Sequence, residues 1–429
     1  MIKTGTNSER SLAHIEKVNK IIPIPGADNI EKIIVLGWEL IAKKGEFKEG
    51  DPCLYIEIDS KVPSNDSRFA FLSKKGFKIK TMKLNKFGII SQGLALPLQE
   101  FPEFDKIKYK TGTDVTEELG ITKILDWGEI KQQKTEKFNR DRIKEIKFNV
   151  ACKKHPKFFN SKLGKKIKKS NFWRNVFGFL FGGKVEQPKK FPNYIVKTDE
   201  ERCENLPWVT TYKNALVATE KIEGTSTTFA IRFKNKKKKK YEISVCSRNV
   251  RQADIYQKCM FEKNVYWEMY NKYKVEEALK NIAKKYNADI VIIQGETYGP
   301  DIQGNIYGLG EVQFLAYNLI LGYTEGSKEF ELAMKDSLGK YKRVGDCMQT
   351  RIDTITAKGI LEKYSIPWVP ILDRNYIIPD SMELLKQDAT GKSAINPKVL
   401  REGVVYRSES DPMFSFKNVS NEYLLQYRK

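Results

Sequence analysis

Four short stretches hold the residues best suited to covalent chemistry. Thr219-Glu220-Lys221-Ile222-Glu223-Gly224 places a lysine two residues before a carboxylate and three before a glycine. Gln294-Gly295-Glu296-Thr297 directly follows the apolar run Ile290-Val291-Ile292-Ile293, and Arg401-Glu402-Gly403-Val404 and Phe414-Ser415-Phe416-Lys417 come later. Singly each is a weak signal, since a carboxylate at a strand end is usually just solvated. Their shared order and spacing are far more specific. Other chemistry is in short supply. With only His14 and His155, histidine acid–base catalysis is poorly provided for. The cysteines (Cys53, Cys152, Cys203, Cys246, Cys259, Cys347) form no C-x-x-C pair, which argues against zinc, and a disulfide framework is out of keeping with so long a chain. Catalysis therefore falls to Lys, Asp, Glu and Arg, or to a bound metal.

In this order and spacing the four stretches resemble the covalent nucleotidyltransferase superfamily of polynucleotide ligases and capping enzymes. The resemblance implies that Lys221 attacks the α-phosphate of a nucleotide and that Lys417 touches the same phosphate. It puts Glu220, Gly224, Glu296 and Glu402 at the nucleotide. A lysine is nucleophilic only when neutral, so its pKa must fall from an ordinary value of about 10.4, and a neighbouring divalent cation is the strongest local means. Glu223, Glu296 and Glu402 would then hold hydrated Mg²⁺ or Mn²⁺ through water. Cys246-Ser247-Arg248-Asn249 resembles the ligase segment whose arginine contacts ribose and acceptor strand. Phe314-Leu315-Ala316-Tyr317-Asn318 resembles the motif whose leading aromatic stacks on adenine. Arg202, in Lys197-Thr198-Asp199-Glu200-Glu201-Arg202, matches an arginine that reaches nucleotide phosphates in RNA ligases; its bland alternative is a helix-surface charge. Ser415, Asn318 and Ser226 depart from family patterns, which bears on substrate geometry more than on adenylation.

Pro25-Gly26-Ala27-Asp28, Gly37-Trp38, Lys44-Gly45-Glu46-Phe47, Gly50-Asp51 and Asp59-Ser60 resemble the N-terminal OB module of the Deinococcus- and Naegleria-type RNA ligases. That branch implies ATP, Mg²⁺ or Mn²⁺, and RNA with 3′-hydroxyl and 5′-phosphate ends, in a nicked duplex, a broken strand or an RNA–DNA hybrid. The rival readings are a DNA ligase or mRNA-capping guanylyltransferase, whose barrel usually follows the last motif, and a non-catalytic nucleic-acid end-binding protein.

The elements that must position these residues follow from pattern. The fold class is α+β: an OB-like β-barrel over residues 1–125, a basic linker or insert over 126–192, and a ligase-type domain of antiparallel sheets with flanking helices over 193–429. In Cys53-Leu54-Tyr55-Ile56-Glu57-Ile58-Asp59 the alternation reads as a half-buried strand. Strands are also expected at 216–219, 228–231, 243–246 and 290–293, a helical pattern over 255–286, and a hairpin turn, or a phosphate contact, at Lys236 to Lys240. The 429 residues carry a net charge of +22, and 19 Lys and Arg against 4 Asp and Glu between Lys131 and Lys190 account for +15 of it. This makes polyanions the default partner. Aromatics interleave with those cations, so the segment reads as a solvated linker, a nucleic-acid contact, or an interfacial membrane segment around Phe172 to Gly183. No apolar run approaches the roughly 20 residues needed to span a bilayer, and the start lacks a signal-peptide pattern. An intracellular monomer with no membrane partner is expected.

Overall fold

The computed structural model describes residues 11–104, 109–124, 140–187, 189–236, 238–254, 264–336, 339–411 and 414–427. The first module is built on β1 (Ala13–Lys17), β2 (Ile30–Val35), β3 (Trp38–Lys43), β4 (Pro52–Ile56) and β5 (Leu94–Pro97). β5, β4 and β1 form an antiparallel sheet completed by Thr113–Asp114. A meander of Lys20–Pro23, β2 and β3 packs on one face of it. β4 differs from the half-buried strand expected. Cys53 and Tyr55 enter one core with Trp38 and Leu40, while Leu54 and Ile56 enter a second with Phe69 and Phe101. Tyr55 mimics a polar position because its ring is apolar and its hydroxyl finds a partner, donating to the Gln92 carbonyl at 3.2 Å. Gly93 closes the turn into β5 with φ 139°; a Cβ there would lie 2.6 Å from the Tyr55 ring and 2.8 Å from the Ile56 carbonyl.

The basic segment is helical where it is described. It comprises α1 (Arg140–Lys154), α2 (Pro156–Asn160), α3 (Lys162–Lys169) and α4 (Asn171–Phe181). Ser161 caps α3 by accepting from the Gly164 amide at 3.2 Å. α4 packs closely on α1 at Gly178, where a Cβ would sit 2.9 Å from the Phe148 amide nitrogen. Phe148, Ala151, Cys152, Phe159 and Ile167 make a small core, and Ile146 and Val150 pack on Ala253 of the next module. The expected stretch at 126–139 lies outside the described residues.

The last module uses β6 (Leu216–Lys221), β7 (Thr225–Asn235), β8 (Lys240–Ser247), β9 (Ile290–Tyr298), β10 (Gln313–Thr324), β11 (Gly403–Ser408) and β12 (Ser415–Val419). One sheet runs Lys189–Lys190, Val250–Arg251, β8, β7, β9, β10, Cys347–Arg351, Lys342–Val344. The other runs Glu201–Arg202, β12, β11, β6, Ile371–Tyr376, with only its first pairing parallel. Helices α5 (Val265–Lys272) and α6 (Val275–Lys285) bury Trp267, Leu279 and Ile282 against Phe229, Val291 and Ile293. They divide the helical pattern expected over 255–286 at Lys274, whose φ of 48° no helix accommodates, and 255–263 lies outside the described residues. β6 crosses from one sheet to the brink of the other, so its last residue, Lys221, stands where the two sheets meet.

The first module grips the end of this domain. Ile90 joins Val419, Tyr423 and Leu424 in one apolar cluster. Lys83 donates to the Leu425 carbonyl at 2.9 Å, and Asn421 to Glu39 at 3.0 Å.

Candidate active site

Strand register assembles the site. Lys221, at the end of β6, lies opposite Gly403 at the start of β11, which brings Glu402 alongside it. The Lys221 ammonium and the buried Glu402 carboxylate pair at 2.7 Å. The turn Ile222-Glu223-Gly224 then leads into β7, whose Ser226 lies opposite Glu296 of β9. Gly224 is needed for contact and not for backbone conformation: a Cβ would fall 2.5 Å from the Thr297 carbonyl and 2.8 Å from Glu296 Cγ. β9 runs on past the apolar 290–293 core to Tyr298, and that extension delivers Glu296 to the cleft.

The carboxylates are not equivalent. Burial pushes Glu296 up; Lys221 pulls it back, Glu402 and Glu200 push it up again, and the carboxyl settles at about 8. Burial also raises Glu220, whose Oε2 accepts from the Ala394 amide at 2.7 Å while its buried Oε1 has no partner among the described residues. Glu223 likewise leaves a buried Oε2 without a partner, although its backbone amide donates to the Tyr307 hydroxyl at 2.8 Å. Among the described residues no group of three Asp, Glu, His or Cys is placed to hold an ion directly. A cluster holding excess negative charge, with a carboxyl driven to hold its proton and an orphaned carboxylate oxygen, nevertheless suits a hydrated divalent cation bound through water and phosphate oxygens.

A second pole lies across the cleft. Asp199 accepts from Lys417 on one oxygen at 2.8 Å and from Arg248 on the other at 2.9 Å. The protein packed around Asp199 pushes its carboxyl up although the side chain still reaches solvent, but Lys417 and Arg248 outweigh that and hold it below the usual carboxylate range. Sequence reading had singled out Arg202 from this stretch. Arg202 stands on a two-residue strand and not on a helix surface, opposite Lys417 in register, with its guanidinium 5.1 Å from the Trp38 ring of the first module. Asp199 and Glu200 face the site, Glu200 pairing with buried Arg407 at 3.1 Å. Arg407 also donates to Thr219 at 2.9 Å, tying both poles together below the cleft.

Phe314 is fully buried, its ring 5.0 Å from Phe229 and 6.2 Å from Tyr273. It lies beneath Gly295, where a Cβ would come within 2.4 Å of the ring, so it forms floor and offers no open face to a base. Two of the departures from family pattern have local partners. Asn318 donates to Gln294 at 3.1 Å, and Ser226 hydrogen-bonds Thr198 at 3.1 Å. Tyr307, Asp199 and Arg407 were not among the expected site residues; the only sequence signal was that Asp199 and Glu200 lie in the stretch that supplied Arg202.

Comparison with known proteins gives the same outline. A model of an OB-fold domain matches residues 12–98, and the RNA ligase family model matches residues 214–420. A glutamate-to-alanine mutant of Naegleria gruberi RNA ligase with ATP and Mn is 27% identical, with a TM-score of 0.63, covering 98% of this chain and 100% of that one. The same ligase with PPi is 27% identical, with a TM-score of 0.61, over 98% and 99% of the two chains. A lysine-to-alanine mutant with ATP and Mn gives 27% identity and a TM-score of 0.61 over 96% and 98%. No curated protein matches the chain.

Proposed function

Because this chain belongs to the RNA ligase family, with its ligase domain behind an OB-fold domain, we propose that it seals RNA through a covalent lysyl-AMP intermediate. The Lys221 amine, once neutral, attacks the α-phosphorus of ATP and forms a P–N bond as pyrophosphate leaves. The AMP then passes to an RNA 5′-phosphate, freeing Lys221. A 3′-hydroxyl attacks that activated phosphate, forms the phosphodiester and releases AMP.

The observation that carries this reading is Lys221 at the sheet junction, 2.7 Å from Glu402 and flanked by Glu296. Glu402 orients the amine. The unpartnered Glu220 Oε1 is an acceptor suited to the adenine amino group. Lys417 and Arg248 already share one carboxylate, and a nucleotide phosphate presents the same pattern of anionic oxygens. A hydrated Mg²⁺ or Mn²⁺ held through water by Glu223, Glu296 and Glu402 would add positive charge beside the α-phosphate when bound. Gly224 keeps the turn close to β9, and buried Phe314 supports the strand carrying Glu296.

The test is labelling with α-³²P ATP and Mn²⁺. The wild type should carry label that survives denaturing gel electrophoresis and alkali and is released by acid, as a phosphoramidate requires, and Lys221→Ala should carry none. Equal label on Lys221→Ala, or none on a folded wild type, overturns the assignment. A panel of nicked RNA, DNA and hybrid duplexes then identifies the ends that are sealed.

A further inference from the structure

We propose that α4 docks the protein onto an anionic lipid surface, lying in the headgroup layer with its axis along the membrane plane. Phe172, Trp173, Phe179 and Leu180 are 67%, 49%, 76% and 62% exposed. At helical spacing they fall, with Val176, on one contiguous face, opposite Gly178, which presses on α1. Isolated exposed apolar residues are ordinary; four on one face of an 11-residue helix, with half-buried Val176 among them, are not.

The surroundings indicate what covers this face. The Lys147 ammonium lies 5.6 Å from the Phe179 ring centre, and that of Lys154 3.5 Å from the Phe181 carbonyl. Along α3, Lys165, Lys166, Lys168 and Lys169 are exposed. An apolar face with a lysine at its edge, on a helical segment this rich in exposed lysines, suits a layer with anionic headgroups above and acyl chains below, because the aliphatic stems bury while the ammonium groups reach phosphate. A second copy of the chain fits less well: pairing through α4 would bring together two segments of +15 each. Single-stranded RNA accounts for the charge but not for the face. Val176 and Leu180 have no ring for a base to stack on, the Phe172 and Trp173 rings already meet edge-to-face with centroids 5.3 Å apart, and Lys147 lies over the Phe179 ring. Among the described residues no helix is long and apolar enough to cross a membrane, so the contact is one of lying on the surface. This inference is independent of the ligase reading.

The experiment is flotation of the full chain with vesicles of phosphatidylcholine alone or mixed with phosphatidylserine. The wild type should float with the phosphatidylserine vesicles and remain behind with phosphatidylcholine alone. Phe172→Ser, Trp173→Ser and Phe179→Ser combined should weaken flotation about tenfold or more, with unchanged thermal midpoint and unchanged labelling by ATP. Wild-type fluorescence should shift to the blue on vesicle addition, and Trp173→Phe should bind but lose that shift. The proposal is overturned by a wild type that ignores both vesicles, by equal binding to both, or by a triple variant that binds like the wild type. It is also overturned if the triple variant loses RNA affinity while no form binds vesicles, which would assign the face to bases.

Discussion

The β-framework and the helical insert handle charge in opposite ways. In the cleft, cations and carboxylates meet in fixed pairs set by strand register: Lys221 with Glu402, and Lys417 and Arg248 with Asp199. In the insert, 19 cations face 4 acids between Lys131 and Lys190, so most cannot be paired within the segment. Charge that must act on one atom of a small substrate needs a rigid position, and neighbouring strands supply it. Charge that attracts an extended polyanion or a lipid surface needs only number and exposure, and four short helices around a small core suffice.

The most severe way to test the first half of this contrast is Glu402→Gln. The amide keeps shape and hydrogen bonding but removes the buried charge beside Lys221. Labelling by ATP should fall about 100-fold, the scale of losing one group aimed at a reacting centre, while the thermal midpoint changes little. A variant that labels normally would show that position without charge is enough. Substituting insert lysines should never approach that loss in labelling.

The framework also buries a charge it does not satisfy. Glu16, in β1, lies deep in the first module; burial pushes its carboxyl up to about 7, with His14 only partly offsetting this. The folded value lies above the unfolded one, about 4.3. The protonated form is therefore the one the fold favours, and stability declines as pH rises from near 4.3 through 7. Glu16→Gln should raise stability on the order of 2 kcal/mol at pH 8, and change it little at pH 4.5, in urea melts at the two values. An equal effect at both would mean the gain comes from packing and not from charge.

What the sequence made legible divides along the same line. The stretches carrying Lys221, Glu296, Glu402 and Lys417 stand out as short strand-end motifs, and the structure brings the first three of these residues to one junction. The expected strands were found, longer than expected, because hydrophobic runs mark only their buried centres; β9 reads as 290–293 but runs to Tyr298. Arg202 lies on a strand of two residues, and alternation over two residues leaves no pattern from which its placement beside Trp38 could be read. Sequence gives the ring at Phe314 and not its depth, and the structure buries it fully beneath Gly295. The helices of the insert went unread because lysines recur so densely that no clean apolar period survives, and the exposed face of α4 became visible only once Gly178 fixed which side packs on α1.

The smallest expected effect probes whether the paired charges of the cleft are permanent or provisional. Asp199 is exposed, and each of its ion pairs stabilises the fold by no more than about 1 kcal/mol, as surface pairs do. Yet both partners are the cations that a nucleotide phosphate would need. If Lys417 and Arg248 take the ATP phosphates as proposed, the resting carboxylate competes for them, and Asp199→Asn removes the competitor's charge while keeping its shape. KM for ATP in the labelling reaction should fall about threefold, equivalent to roughly 0.6 kcal/mol, with the maximal rate and the thermal midpoint unchanged. A rise in KM would reverse the conclusion: Asp199 would then hold the two cations in place for the phosphate, and the cleft's pairs would be scaffolding all the way to its rim.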